Sequence, residues 1–343
     1  MEKRMYHGLR MLGRLAITVL IGLLMALGVP TSAAVAAGFT PSLSHSSSKL
    51  AYVANSESND VSVIDTASNK VTATIRVGAE PTRIAVIPND TEAYVSNSGS
   101  DDVSVIDTSS NKVTATVPVG KALFGVAMAA DGTHAYVTNM GSDDVSVIDT
   151  ATNKVTATIP VGDGPMGIVT SSDGDLAYVA NRFSGDVSVI DTSSNKVTAT
   201  VPVGKAPFGV AMAADGTHAY VTNMGSNNVS VINTATDEVT GTILVGEAPQ
   251  GIAVDSQGRA WIANYDSDKV SVIDTASNKV TATMPVGEAP EGVAVSPDAT
   301  RIYVTNRGSN NVSVIGGASA TIPVGDGPGG VAIATGPASS QGS

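Results

Sequence analysis

The 343-residue chain offers few groups for catalysis: four histidines and no cysteine. His7 and His45 fall in N-terminal segments unlike the rest, which leaves His134 and His218. These lie 84 residues apart in near-identical surroundings, and no serine or carboxylate is spaced to form a relay with either. The chain has no nucleophile elbow, zinc-ligand spacing or phosphate-cradling glycine loop. Without cysteine there can be no disulfide, thiolate metal ligand or c-type haem attachment. The acidic pairs Asp101-Asp102 and Asp143-Asp144 supply oxygen atoms of the kind Ca²⁺ takes. They lack the turn glycine and the bidentate Glu at fixed spacing that make such a loop specific, and solvation is the plainer reading. We therefore expect no catalytic residue, no metal ligand and no cofactor.

Whatever these residues do, they are positioned by a repeat. Tyr-Val-(Ala/Thr/Ser)-Asn begins at Tyr52, Tyr94, Tyr136, Tyr178, Tyr220 and Tyr303, with the variant Trp261-Ile-Ala-Asn264 before the last. The intervals are 42, 42, 42, 42, 41 and 42 residues. A fixed period of this size with strand-like content means a solenoid or propeller, even though length alone suggests two domains. Each unit holds four short β-branched runs with period-2 alternation, separated by turn chemistry. Within one unit they are Gly209-Val-Ala-Met212, the Tyr-Val-Thr-Asn run, a run like Asp186-Val-Ser-Val-Ile-Asp191, and one like Val197-Thr-Ala-Thr-Val201. Seven copies of four give an all-β, seven-bladed β-propeller of antiparallel strands, a ring that leaves only short, protected edges.

The first unit lacks its first strand, and a spare copy, Gly330-Val-Ala-Ile333, follows the seventh. The C-terminal strand is thus expected to complete the first blade and close the ring, since an open ring would expose strand edges. Residues 102 to 142 and 186 to 226 differ only at Leu123 against Pro207, the mark of a recent duplication. Most residues therefore serve the repeat, and function is to be sought where blades differ.

The quoted motifs, with Val-Ser-Val-Ile-Asp-Thr-Ala-Ser-Asn-Lys-Val-Thr-Ala-Thr-Ile-Pro-Val-Gly, resemble the YVTN-repeat propellers of archaeal surface-layer proteins and of secreted or periplasmic bacterial proteins. The match runs from about Leu50 to Ala334. It implies the fold more closely than an activity, because propellers carry many functions. Blade six, Gly251 to Asn264, resembles the repeat of streptogramin lyases, yet neither their catalytic set nor that of lactonase propellers maps onto this chain.

In that family the first strand is innermost, which turns attention to the position at its start, just before the glycine. It reads Thr82, Phe124, Met166, Phe208, Gln250, Glu291 and Gly329. Phe124, Met166, Phe208, Gln250 and Glu291 would form a channel mouth, apolar on one side and polar on the other. Concave apolar sites with a few polar groups are where ligands bind, and an inert plug is the equal alternative. Asn55, Asn97, Asn139, Asn181, Asn223, Asn264 and Asn306 either ring the same face or bond their own turn backbone, as Asn does locally. Asp65, Asp107, Asp149, Asp191 and Asp274 read as turn residues, as do Asn69, Asn111, Asn153, Asn195 and Asn278, and the tyrosines read as packing between blades.

Residues 1–37 combine Lys3, Arg4, Arg10 and Arg14, an apolar run from Leu15 to Val29, and Thr31-Ser-Ala-Ala-Val-Ala-Ala37. This is a secretory signal-peptide pattern with cleavage between Ala34 and Gly38; an uncleaved anchor is the other reading. Residues 38–48 read as a polar linker, 49–335 as the propeller, and 336–343 as a disordered tail. The formal net charge is −12, and beyond residue 14 there are 15 basic and 30 acidic residues. Such a balance repels phosphate backbones and anionic lipid surfaces, so nucleic acid is not expected as a partner; separately, no integral membrane span is expected after cleavage of the leader. The expected function is a secreted or cell-surface, non-enzymatic binding or surface-structural module, periplasmic if the cell has an outer membrane. Its partner would be an envelope protein, glycan or small molecule. The alternative is an extracytoplasmic hydrolase or lyase acting at the mouth.

Overall fold

The computed structural model describes residues 49–334. The expected leader, linker and tail lie outside the described residues. Twenty-eight strands form seven four-stranded antiparallel sheets. From inner to outer strand, blade one is Pro328–Ile333, Leu50–Asn55, Asp60–Asp65 and Lys70–Arg76. Blade two is Pro81–Val86, Glu92–Asn97, Asp102–Asp107 and Lys112–Pro118; blade three is Leu123–Met128, His134–Asn139, Asp144–Asp149 and Lys154–Pro160. Blade four is Pro165–Thr170, Leu176–Asn181, Asp186–Asp191 and Lys196–Pro202; blade five is Pro207–Met212, His218–Asn223, Asn228–Asn233 and Glu238–Leu244. Blade six is Pro249–Val254, Arg259–Asn264, Lys269–Asp274 and Lys279–Pro285; blade seven is Pro290–Val295, Ile302–Asn306, Asn311–Ile315 and Ala320–Pro323. The ring closes as the sequence implies, with Val331 opposite Val53 and Ile333 opposite Ala51.

The expected alternation of burial is absent from the second and third strands. Tyr94, Val95 and Asn97 are all fully buried, as are Val103, Val105 and Ile106. Alternate side chains enter two different interfaces, because a blade is covered on both faces by its neighbours. Tyr52 packs with Ile84, Val95 and Ile106 of blade two, whereas Val53 packs with Tyr303 and Val312 of blade seven. Only the outer strands keep exposed positions along much of their length.

Within the Tyr-Val-Thr-Asn run, the Tyr, Thr and Asn side chains each bond a different neighbour in the blades where they find one. The Tyr94 hydroxyl donates to Asn153 Oδ1 of the next blade at 2.8 Å, and Tyr220 does the same to Asn278 at 3.0 Å. Those asparagines occupy the left-handed region (φ 53°), where a short polar side chain is tolerated. The Thr138 hydroxyl donates to Met166 O of the next inner strand at 2.6 Å and accepts from Gly125 N at 2.6 Å. Contrary to the expectation of local backbone bonding, the closing Asn makes side-chain bonds to the third strand. Asn55 Nδ2 donates to Asp60 Oδ1 at 2.7 Å and to Ser62 Oγ at 2.9 Å, a pattern repeated at Asn97, Asn139 and Asn181. In a two-strand hairpin, positions i, i+5 and i+7 of this kind face one another. Gly78, in the crossover, lies against this cluster: a Cβ there would come within 2.4 Å of Ser100 Oγ and 2.6 Å of Asn97 Nδ2.

Candidate functional site

The axial site is built by irregularity in the inner strands. In six blades the ladder between inner and second strand skips two residues, for example between Leu123 and Val126 and between Pro207 and Val210. Such bulges re-aim side chains. Here the skipped pair is the mouth residue and its glycine. The glycine is required because the next inner strand crosses close by. A Cβ on Gly125 would sit 2.5 Å from Met166 O, and one on Gly251 would sit 2.2 Å from Glu291 O.

Blade two breaks this rule and corrects the expectation that every mouth residue precedes a glycine. Thr82 precedes Arg83. There the ladder resumes one residue earlier, pairing Arg83 with Ser96, and the extra side chain occupies the channel. Its guanidinium carbon lies 4.2 Å from the Phe124 ring centroid and 5.6 Å from that of Phe208. The two rings meet edge-to-face, with centroids 5.1 Å apart. Arg83 Nη1 donates to Glu291 Oε1 at 2.7 Å and to Thr82 O at 2.9 Å. Arg307, after the second strand of blade seven, adds Nη1 to Glu291 Oε2 at 3.3 Å and Nη2 to Glu57 at 3.4 Å. Burial pulls the Arg307 pKa down, but the Glu291 carboxylate together with Glu57 and Tyr265 outweighs it and holds the guanidinium above its ordinary value.

Of the five expected site residues, the structure therefore joins three. Phe124 and Phe208 touch, and Glu291 reaches them through Arg83. Met166 and Gln250 are buried at 2% and 8% exposure, as Phe208 and Glu291 are at 5% and 6%. A cavity of about 140 Å³ follows the axis, lined by Arg83, Phe124, Phe208 and the glycines and valines or isoleucines behind them. Met166, Gln250 and Glu291 do not line it. Arg83 was missed in the sequence, although it is the one break in a seven-fold column of glycines.

The other candidates have structural partners. Asp102 and Asp144 accept from Asn97 and Asn139, while Asp101 and Asp143 accept from the crossover amides of Ala122 and Gly164 at 2.8 Å. His134 and His218 bond the neighbouring Thr133 and Thr217 hydroxyls on the opposite face. In blade six, Asp255 accepts from Trp261 Nε1 at 3.0 Å and pairs with Arg259 at 2.6 Å. Burial raises the Asp255 pKa, but these bonds outweigh it and leave the carboxyl below its usual range. The lyase-like variation in this blade is thus a packed ion pair.

Residues 29–216, more than half of the chain, match the model of the YNCE-like beta-propeller family. The chain belongs to that family. Among solved structures, this YNCE-like propeller is similar to a functionally unknown protein from Desulfotomaculum acetoxidans, at 16% identity and TM-score 0.74, covering 84% of this chain and 100% of that one. It is also similar to hydrazine synthase of Kuenenia stuttgartiensis, at 23% identity and TM-score 0.53, covering 71% of this chain and 98% of that one. At these identities the likeness is one of fold. No curated protein sequence matches.

Proposed function

We propose that this YNCE-like propeller is a non-enzymatic binding or surface-structural module working outside the cytoplasm, and that its partner is recognised from outside at the channel mouth. The observation that carries this reading is the filled mouth, where Arg83 is paired with Glu291 and covered by Phe124 and Phe208. The axial cavity of about 140 Å³ is well below the roughly 300–1,000 Å³ of sites that engulf small molecules. Two guanidinium groups, one carboxylate and two rings converge there, which suits recognition and lacks a nucleophile with its base. Phe124, the one expected mouth residue that is not buried, offers the contact surface, and Phe208 and Glu291 hold it and Arg83 in place. Export is supported by the charged, apolar and small-residue order of the first 37 residues. The resemblance of the repeats to the YVTN propellers of surface layers points the same way.

The test is affinity capture from the producer's own envelope fraction by the wild type and by the Phe124→Ala/Phe208→Ala double variant. We expect the captured partner to be lost from a variant that still shows the propeller's circular dichroism. Retained capture by the folded variant would overturn the mouth assignment, and turnover of lactone or cyclic-ester substrates by the wild type would overturn the non-enzymatic reading. N-terminal sequencing of the protein recovered outside the cytoplasm should give a start between Val35 and Gly38.

A further inference from the structure

On the same face as the mouth, the turn after each second strand meets the crossover entering the next blade, and six of the seven junctions share one bond. The side chain of an Asn or Asp in the left-handed region accepts from the crossover amide. The pairs are Asn59 with Glu80, Asp101 with Ala122, Asp143 with Gly164, Asn227 with Ala248, Asp268 with Ala289 and Asn310 with Gly327, at 2.7 to 3.0 Å. Blade four departs from this. Its turn reads Arg182-Phe-Ser-Gly185, and Gly185 (φ 74°) has no side chain to make the bond. Among the described residues no protein acceptor faces the Ala206 N–H.

A groove of about 510 Å³ lies between blades four and five, within the roughly 300–1,000 Å³ span of ligand sites; the next junction has one of similar size, lined by Asn227 and Glu247, so what sets this groove apart is its lining. Its walls include Arg182, Phe183, Gly185, Lys205, Ala206 and Ser226, and no carboxylate lines it. In a chain of net charge −12, two cations beside a freed amide are a local reversal of sign. At physiological salt the acidic remainder is screened beyond about 8 Å. Phe183 is 68% exposed and lies against Gly164, where any Cβ would fall 2.4 Å from the ring. The repeat does not need this ring: the equivalent positions are Gly99, Gly141, Gly225, Gly308, Glu57 and Asp266.

We propose that this groove binds a carboxylated sugar, a hexuronate unit of an acidic glycan. Its carboxylate is received by Lys205, Arg182 and the Ala206 N–H, and its C–H face lies on Phe183. Charge-assisted bonds supply the anion's share. The Arg182 guanidinium carbon lies 5.8 Å from the Phe183 ring centroid, so cation and ring are already adjacent; the apolar share is the exposed remainder of a flat ring and not an enclosed pit, which suits a pyranose face better than a peptide side chain that anchors by insertion. The site is separate from the mouth and does not rest on the reading given for it.

The experiment is calorimetric titration of the full chain with tetragalacturonate, with neutral cellotetraose and a tetraglutamate peptide as comparisons. We expect the uronate alone to bind, at least tenfold more weakly to Lys205→Met and to Phe183→Ala. Gly185→Asn restores the residue type that Asn59, Asn227 and Asn310 represent at this junction; it should abolish binding while the melting temperature holds or rises. Phe124→Ala/Phe208→Ala should bind the uronate as the wild type does. No binding to the wild type, unchanged binding to Gly185→Asn, equal binding of the neutral sugar or the peptide, or loss in the mouth variant would each overturn the proposal.

Discussion

At the scale of single residues, the decisive side chain is Arg83. Its partner Glu291 has a side chain only 8% exposed, so removing either charge leaves the other short of its main partner. Close pairs out of water couple more strongly than surface pairs. A double-mutant cycle with Arg83→Met and Glu291→Gln, read by urea unfolding, should give a coupling of about 1–3 kcal/mol. A value near zero would mean the pair is incidental. Asp237 is a second instructive residue, because it stands where Asn69, Asn111, Asn153, Asn195 and Asn278 stand in other blades. Burial pushes its pKa up, and the Tyr178 hydroxyl only partly offsets this. A carboxyl whose folded pKa lies above its unfolded one contributes its full stability below the unfolded pKa, about 4, and loses it as pH rises through the folded one. Asp237→Asn restores the neutral amide that the other blades carry and removes that loss. It should raise the melting temperature at pH 7 and leave it unchanged below about pH 4.

At the scale of elements, stability rests on the strand that closes the ring. Pro328–Ile333 pairs with Leu50–Asn55, and the ladder is extended by Ala334 N donating to Leu50 O at 2.8 Å and Ser56 N to Gly327 O at 2.9 Å. Truncation after Gly325 would leave that edge of Leu50–Asn55 unpaired and strip one side from the Val53, Tyr303 and Val312 cluster. The loss should be several kcal/mol against a usual margin of about 5–15 kcal/mol. The truncated protein should therefore melt well below the full chain and associate through the open edge. An unchanged melting temperature in a monomer would contradict this.

At the scale of the whole molecule, the turns on the face opposite the mouth set the response to acid. Asp107 is held below its ordinary pKa by the Ser110 and Ser109 hydroxyls, and Asp191 by Ser193 and Ser194. Asp298 is lowered to about 2, chiefly by the Ser296 hydroxyl. Carboxyls with depressed folded pKa values stabilise above the unfolded value, near 4, and that contribution is lost as pH falls through the folded one. Stability should thus hold from pH 7 to about 5 and decline between about 4 and 2, as thermal melts across that range would report. A decline already complete by pH 5 would point to another group.

The strand count, their order within a blade and the closing strand were all readable from the sequence. They follow from local alternation and from a repeat that lacks its first piece and has a spare one at its other end. The Asn55, Asp60 and Ser62 spacing was equally visible, but only the hairpin register makes those side chains face each other. The sequence put Phe124, Phe208 and Glu291 in one column at the mouth, but their contacts, and the place of Arg83 among them, belong to the tertiary structure. Phe124 and Phe208 are 84 residues apart and Arg83 and Glu291 are 208 apart, and nothing short of ring closure brings them to one axis. A missing glycine in the sequence marks where a side chain is added. Where that side chain goes is decided by the space the seven inner strands leave between them.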